Sequence, residues 1–230
     1  MSITCLVPAR NEGGHLAHVI AQVQSVPQIS KIIIIEGGSS DDTRGEAEKI
    51  VSQSEGQVTL LIQTGKGKFN AVLEGATNCT TDFILIWDAD GTVPLSDTQE
   101  IVRIAIDQNV GVMGNRLKGK MEKGSMQFAN WIANWGFALI WSPYLKWQAI
   151  DTLCGTKIFP RKVFENLSPK IREIDPYGDF TLIASAIQNN IPIISKPVDY
   201  YKRQYGKTNI KRWSGGILLL RTYIRFVASK

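Results

Sequence analysis

The run Ile32-Ile33-Ile34-Ile35 restricts this chain's fold more tightly than any other feature of its sequence. Alternate residues of a strand point to opposite faces, so four isoleucines in a row leave neither face polar. Such a strand must be covered on both sides, which is the condition of a parallel sheet whose crossovers are helices. The neighbouring sequence supplies the crossovers. Ile3 to Val7 is a short apolar run, and Glu12 to Ser25 follows it with Leu16, Val19, Ile20 and Val23 spaced for one helix face. After the isoleucines comes Glu36-Gly37-Gly38-Ser39-Ser40-Asp41-Asp42-Thr43, a glycine-rich turn with a helix N-cap signal, then a helical stretch to about Gln53. Val58 to Gln63 predicts a third strand, Asn70 to Ala76 a helix, and Phe83 to Trp87 a fourth strand. The first 90 residues thus repeat strand, loop, helix.

In such a sheet, ligands sit beyond the carboxyl ends of the strands. Polar clusters follow Val7, Ile35 and Trp87, so all three converge on one edge. The second half is less regular. Val110 to Met113 predicts a strand before Gly114-Asn115-Arg116. Gln127 to Trp141 is an aromatic-rich helical pattern, and Lys157 to Phe159 and Ile193 to Val198 read as shorter strands. A length of 230 residues suits one sizeable α/β domain, or one domain with a short appendage.

Composition excludes several classes. Cys5, Cys79 and Cys154 lie far apart with no C-x-x-C spacing, which argues against a disulfide framework or a zinc site and for a reducing compartment. His15 and His18 share a helix face with no third ligand nearby, and read as surface helix positions. The N-terminus has no signal-peptide pattern, and no apolar run reaches the roughly 18 residues that span a bilayer. The formal charge of +5 is uneven. From Tyr200 to Lys230 there are eight Lys or Arg and no Asp or Glu, leaving 18 basic against 21 acidic residues elsewhere. The basicity therefore belongs to the tail and points to an anionic partner there. Ile210, Trp213, Ile217, Leu220, Ile224 and Val227 recur at steps of three and four within it, the pattern of an amphipathic helix that lies on an anionic membrane or packs on the core. The four tryptophans between Trp131 and Trp147 allow the same two readings. No nucleic-acid module accompanies the basic tail.

The chemistry-bearing residues start with Asp88-Ala89-Asp90, directly after the fourth strand. Two carboxylates at i and i+2 on a loop can converge on one divalent ion, and Mg²⁺ and Mn²⁺ prefer such oxygens and bridge to a diphosphate. Gly65-Lys66-Gly67-Lys68 lacks the Walker spacing, and no G-x-G-x-x-G follows a strand. Its glycines let backbone approach a nucleotide while Lys66 supplies charge.

As a set, Val7-Pro8-Ala9-Arg10-Asn11-Glu12, Glu36-Gly37-Gly38-Ser39, Gly65-Lys66-Gly67 and Asp88-Ala89-Asp90 resemble the donor-site motifs of family 2 glycosyltransferases. The likeness continues through Gly114-Asn115-Arg116, Asp151 to Lys157, Tyr177-Gly178-Asp179 and Arg203 to Asn209, and covers about residues 3 to 213. The dolichyl- or polyprenyl-phosphate sugar synthases look like the nearest branch. The resemblance implies a GT-A fold, a Rossmann-like, mixed but mostly parallel sheet with flanking helices. It places the glycosyltransferase domain in residues 1–205, with 206–230 as a basic amphipathic appendage. It further implies that Pro8, Ala9, Glu12 and Glu36 line the base and ribose pocket, with Lys66 near the nucleobase. Asp88 and Asp90, with Ala89 between them, would hold Mg²⁺ or Mn²⁺ on the donor diphosphate. Arg203 and Lys207 would close over that diphosphate, while Arg116, Lys123 and Asp179 would face the acceptor. Asp90, Asp179 and Arg116 are the candidate catalytic residues, Asp179 being the base for a hydroxyl acceptor. The family often carries a metal-binding glutamine where this chain has Thr92, and two carboxylates where it has Glu36-Gly37.

The implied activity is inverting transfer of a sugar from a UDP- or GDP-sugar to a polyprenyl phosphate or another acceptor. Expected partners are the donor, that acceptor, an anionic membrane surface and a second copy in a homo-oligomer, with no nucleic acid. The implied location is cytoplasmic, peripheral on the cytoplasmic face of a membrane. Two alternatives are a nucleotidyltransferase that forms sugar nucleotides and a non-catalytic nucleotide- or membrane-binding module. The first should carry a glycine-rich loop with Thr-Arg near the N-terminus, where this chain has Pro8-Ala9-Arg10-Asn11-Glu12. The second should lack the paired aspartates.

Overall fold

The computed structural model describes residues 1–126, 128–145, 151–165, 167, 175, 177–203 and 212–228. Among the described residues seven strands, β1 (Ile3–Ala9), β2 (Ile29–Glu36), β3 (Val58–Ile62), β4 (Phe83–Ile86), β5 (Gly111–Asn115), β6 (Lys157–Pro160) and β7 (Ile193–Pro197), form one sheet in the order β3-β2-β1-β4-β6-β5-β7. Among them β6 runs against its neighbours β4 and β5, while every other pairing is parallel. The parallel pairings are those that the isoleucine run and the strand–loop–helix repeat predict, and the reversed β6 makes the sheet mixed, as the resemblance to the GT-A fold implies.

Alternation along the strands divides the interior into two cores. Cys5, Val7, Ile32, Ile34, Leu85 and Trp87 face α1 (Leu16–Gln24), α2 (Thr43–Gln53) and α4 (Leu95–Gln108). Leu6, Ile33, Ile35, Ile84 and Ile86 face α3 (Lys68–Ala76), α5 (Phe128–Trp141), α6 (Asp179–Gln188) and α7 (Arg212–Ala228). The four isoleucines thus split evenly, two per core, which is why none could be polar.

Helix α6 carries apolar residues at helical steps, Phe180, Ile183 and Ile187, and its polar positions Thr181 and Ser185 are buried along with Leu182 and Ala186, so most of its length leaves no polar face to solvent. Trp141, at the end of α5, joins the second layer together. Its ring centroid lies 5.2 Å from that of Phe180, 5.3 Å from Tyr223 and 4.9 Å from Phe226.

The described part of α7 presents its apolar stripe outward. Ile217, Leu220, Ile224 and Val227 are exposed, while Leu219, Thr222 and Phe226 face inward. Phe128, Trp131, Ile132 and Leu139 of α5 are exposed as well. Among the described residues, no helix is long and apolar enough to cross a membrane.

Candidate active site

Strand direction decides what meets at the site. The carboxyl ends of β1, β2, β4, β5 and β7 share one edge, and β6, running the other way, brings its amino end there. Glu36 therefore stands beside Ala9, and Lys157 lies beside Ile86 just before Asp88.

The first two loops are tied to each other. The Glu12 amide donates to Thr43 Oγ1 at 2.9 Å, and the Ser40 amide donates to Asn11 Oδ1 at 2.8 Å. Glu46, from α2, accepts the Gly14 and Ala17 amides at 2.7 and 2.8 Å. It satisfies donors at the start of α1 that the helix leaves open. Glu36 is buried and takes the Ser39 amide. Burial pushes its carboxyl up, but the Ser39 and Gly38 donors outweigh it and hold the group below its usual range. Pro8 is half-buried and Ala9 buried along the same wall.

Asp90 Oδ1 accepts from the Thr92 amide at 3.2 Å and the Thr92 hydroxyl at 3.0 Å, so Thr92 orients this carboxylate. Its other oxygen, Oδ2, receives Arg203 at 2.7 Å. The same guanidinium reaches Glu12 Oε1 at 3.2 Å. Arg203 arrives because the segment after β7 is stitched to the loop after β4: the Tyr201 amide donates to Thr92 O at 2.9 Å, and the Asp199 amide to Asp97 Oδ2 at 2.7 Å. Ala89 is buried, and its carbonyl lies 3.0 Å from His15 Nε2, which is also 3.1 Å from Glu12 Oε2. His15 is thus a buried site-wall residue and not the surface position its spacing suggests. Burial raises the Glu12 carboxyl to about 7; the Arg203 charge opposes this, and Asp90 and Asp88 add to it.

Asp88 pairs with Lys68, each side chain being 32% exposed. Burial pushes the Asp88 carboxyl up, but Lys68 more than compensates and holds it low. Behind it, Gly155 leaves no room for a side chain, because a Cβ there would overlap the Asp88 carboxylate. Asp179 begins α6 and is paired with the buried Lys157. Burial raises its carboxyl, against the pull of Lys157 and Lys68.

Arg116 directs its guanidinium inward, with Nη2 3.0 Å from Asp151 Oδ1 and its Cζ 5.0 Å over the Tyr200 ring. Asp151 also takes the Leu153 amide at 3.2 Å, so the arginine anchors the loop that carries Gly155. Lys66 is exposed on a turn that Glu74 holds through the Thr64 and Gly65 amides. Lys123 is exposed in the turn after Glu122. Lys207 lies outside the described residues, as do Ile210 and the rest of the 204–211 motif. Lys68 and Lys157 stand inside sequence motifs that assign them no role; their signal there is closeness to the motif glycines, Lys68 next to Gly67 and Lys157 two residues after Gly155.

Among the described residues, no three His, Cys, Asp or Glu side chains gather as a metal site. Asp88 and Asp90 supply hard carboxylate oxygens at the end of β4. That donor set fits a Mg²⁺- or Mn²⁺-class ion completing its shell from diphosphate and water, the usual habit of Mg²⁺.

Comparison with known proteins shows the family and the fold. Residues 4–168 match the model of glycosyl transferase family 2. Glycosyltransferase AglJ of Haloferax volcanii is 28% identical over 97% of this chain and 72% of its own length. Glucosyl-3-phosphoglycerate synthase from Mycobacterium tuberculosis, solved with Mg²⁺ and UDP, superposes with a TM-score of 0.73 at 14% identity, covering 99% of this chain and 79% of that one. The same enzyme has been solved with Mn²⁺, UDP-glucose and phosphoglyceric acid, with a TM-score of 0.70 at 15% identity and coverage of 99% and 80%. Mannosyl-3-phosphoglycerate synthase from Rubrobacter xylanophilus gives a TM-score of 0.72 at 15% identity, covering 100% and 75%.

Proposed function

The chain belongs to glycosyl transferase family 2, and from that premise we propose that it moves a sugar, with inversion, from a UDP- or GDP-sugar to a polyprenyl-phosphate acceptor, with a divalent ion held by Asp88 and Asp90. The observation that carries this is the meeting of Asp88, Asp90, Glu12 and Arg203 at one sheet edge, from loops as much as 191 residues apart. The solved relatives that hold UDP or UDP-glucose with Mg²⁺ or Mn²⁺ support the donor class and the ion.

Transfer breaks a sugar–phosphate bond while negative charge grows on the leaving diphosphate. The bound ion would offset that charge as a Lewis acid. Arg203 adds a fixed cation beside Asp90 and Glu12, and Lys207 is assigned to the same task. Glu36, Pro8, Ala9 and Glu12 wall the nucleoside, with Lys66 at its mouth. Arg116 is a positioning residue: through Asp151 it holds the loop that carries Gly155 against Asp88. Lys123 receives the acceptor phosphate by charge-assisted hydrogen bonds.

A phosphate acceptor is ionised near neutral pH and attacks without a base. A hydroxyl acceptor needs one, and Asp179 then takes its proton. A soluble phosphorylated hydroxy acid is the second reading, favoured by the phosphoglyceric acid in the solved relative. The outward apolar stripes of α5 and α7, with exposed Arg221 and Arg225 on α7, support the lipid-linked acceptor and docking to the cytoplasmic face of an anionic membrane.

The test is a transfer assay with UDP- and GDP-sugars and Mn²⁺, offered polyprenyl phosphate in one arm and 3-phosphoglycerate in the other. The wild-type chain should label the lipid arm, and Asp90→Ala should abolish labelling while its melting curve is kept. Labelling of 3-phosphoglycerate alone overturns the lipid acceptor. Full activity of Asp90→Ala, or activity in excess chelator, overturns the metal assignment.

A further inference from the structure

Lys68 has no part in the mechanism above, yet it is the group bonded to the metal carboxylate Asp88. It opens α3 immediately after Gly67, whose φ of 90° turns the chain so that the helix starts facing the sheet edge. The Lys68 ammonium also feels the charges of Asp179 and Asp90. Asp90 is served differently. Its cation, Arg203, has a second anchor on Glu12. Lys68 is a flexible point charge and, like Asp88, about one-third exposed, so this pair can open without disturbing the core.

We propose that Lys68 is a displaceable counterion of the metal site: it holds Asp88 before the donor binds, competes with the divalent ion for Asp88 Oδ1, and transfers its ammonium to the donor diphosphate when that arrives. The inference rests on the reading of Asp88 as a metal ligand. Its logic is a competition for one set of lone pairs. An ammonium and a divalent ion both need the Asp88 oxygen, and neighbouring carboxylates are costly to leave without a cation. The diphosphate provides new acceptors for the ammonium, so its arrival frees the carboxylate. Metal and donor must then favour each other's binding, and by linkage the coupling is equal in both directions. Lys68 makes metal loading depend on the donor and guards the site against free metal.

The experiment measures Mn²⁺ binding by electron paramagnetic resonance on the full chain, with and without UDP, for wild type, Lys68→Met and Lys68→Arg. Lys68→Met should bind Mn²⁺ about tenfold more tightly than wild type without UDP, equivalent to roughly 1.4 kcal/mol. The gain that UDP confers on Mn²⁺ affinity should shrink by a similar factor. Lys68→Arg should stay close to wild type. A second readout needs no variant: Mn²⁺ alone should speed acetylation of Lys68 in the wild-type chain, read by mass spectrometry, and Mn²⁺ with UDP should slow it. Equal Mn²⁺ affinity for wild type and Lys68→Met, or acetylation unmoved by Mn²⁺, overturns the counterion role and leaves the donor-site reading standing. Mn²⁺ binding to neither protein, while UDP still binds both, overturns the metal reading and this inference with it.

Discussion

Gly155→Ala tests where the Asp88 carboxylate must sit. Gly155 has no positive φ, so alanine brings no backbone strain and the effect is steric. A Cβ at 155 would overlap Oδ2 and Cγ of Asp88, and even the farther oxygen, Oδ1, would lie only 2.9 Å away. Asp88 is a short side chain, one-third exposed, and has somewhere to go. We therefore expect the carboxylate to yield and the fold to persist, with a stability loss of about 1–3 kcal/mol as for other overpacked sites. Clearing the methyl moves the carboxylate by about 1 Å or more, and misplacement of that size costs on the order of 10²-fold in rate. The assay is kcat/KM for sugar transfer together with Mn²⁺ affinity and a melting curve. Both kcat/KM and Mn²⁺ affinity should fall, while the unfolding transition stays cooperative and its midpoint drops by about 2–12 °C. A variant within about threefold of wild type in both would refute the assignment of Asp88, in this position, to the metal.

Glu12 predicts a pH dependence of stability for the protein alone. Its carboxyl titrates near 7 in the folded chain, mainly through burial, against 4.5 when unperturbed. A raised carboxyl pKa means that its stabilising contribution is complete below about 4.5 and is lost as pH rises through about 7. The Tm of wild type should therefore fall between pH 5 and 8 by more than that of Glu12→Gln; parallel curves would contradict the buried-carboxyl account. Trp141→Ala should cost about 3–5 kcal/mol in denaturant unfolding, because it removes the ring packed on Phe180, Tyr223 and Phe226. Loss below about 1 kcal/mol would mean that α7 does not depend on that cluster. Finally, anionic liposomes should sediment the wild-type chain at low salt and release it at high salt, whereas the triple serine variant of Ile217, Leu220 and Ile224 should stay in the supernatant. Equal sedimentation of both would remove α7 from the membrane contact.

Much of this protein is written locally. Four isoleucines demand a strand covered twice, and the strand–loop–helix repeat demands a parallel sheet, because side-chain periodicity acts over a few residues. The same local logic places Glu36, Asp88 and the Pro8 to Glu12 segment at one edge without any tertiary contact. In α6 the steps Phe180, Ile183 and Ile187 are helical too, but the burial of Thr181 and Ser185 on its other side is decided by tertiary packing. Periodicity also found the α7 stripe without telling which side would face the core; packing of Leu219 and Phe226 on the Trp141 cluster turned that stripe outward.

The pairing of charges belongs wholly to the tertiary structure. Lys68 meets Asp88, Lys157 meets Asp179, Arg116 meets Asp151, and Arg203 spans Glu12 and Asp90. No spacing along the chain encodes these partners, since they come from different strand ends. They meet because a sheet with one reversed strand gathers those ends at a single edge, where each carboxylate taken from water needs a cation within reach.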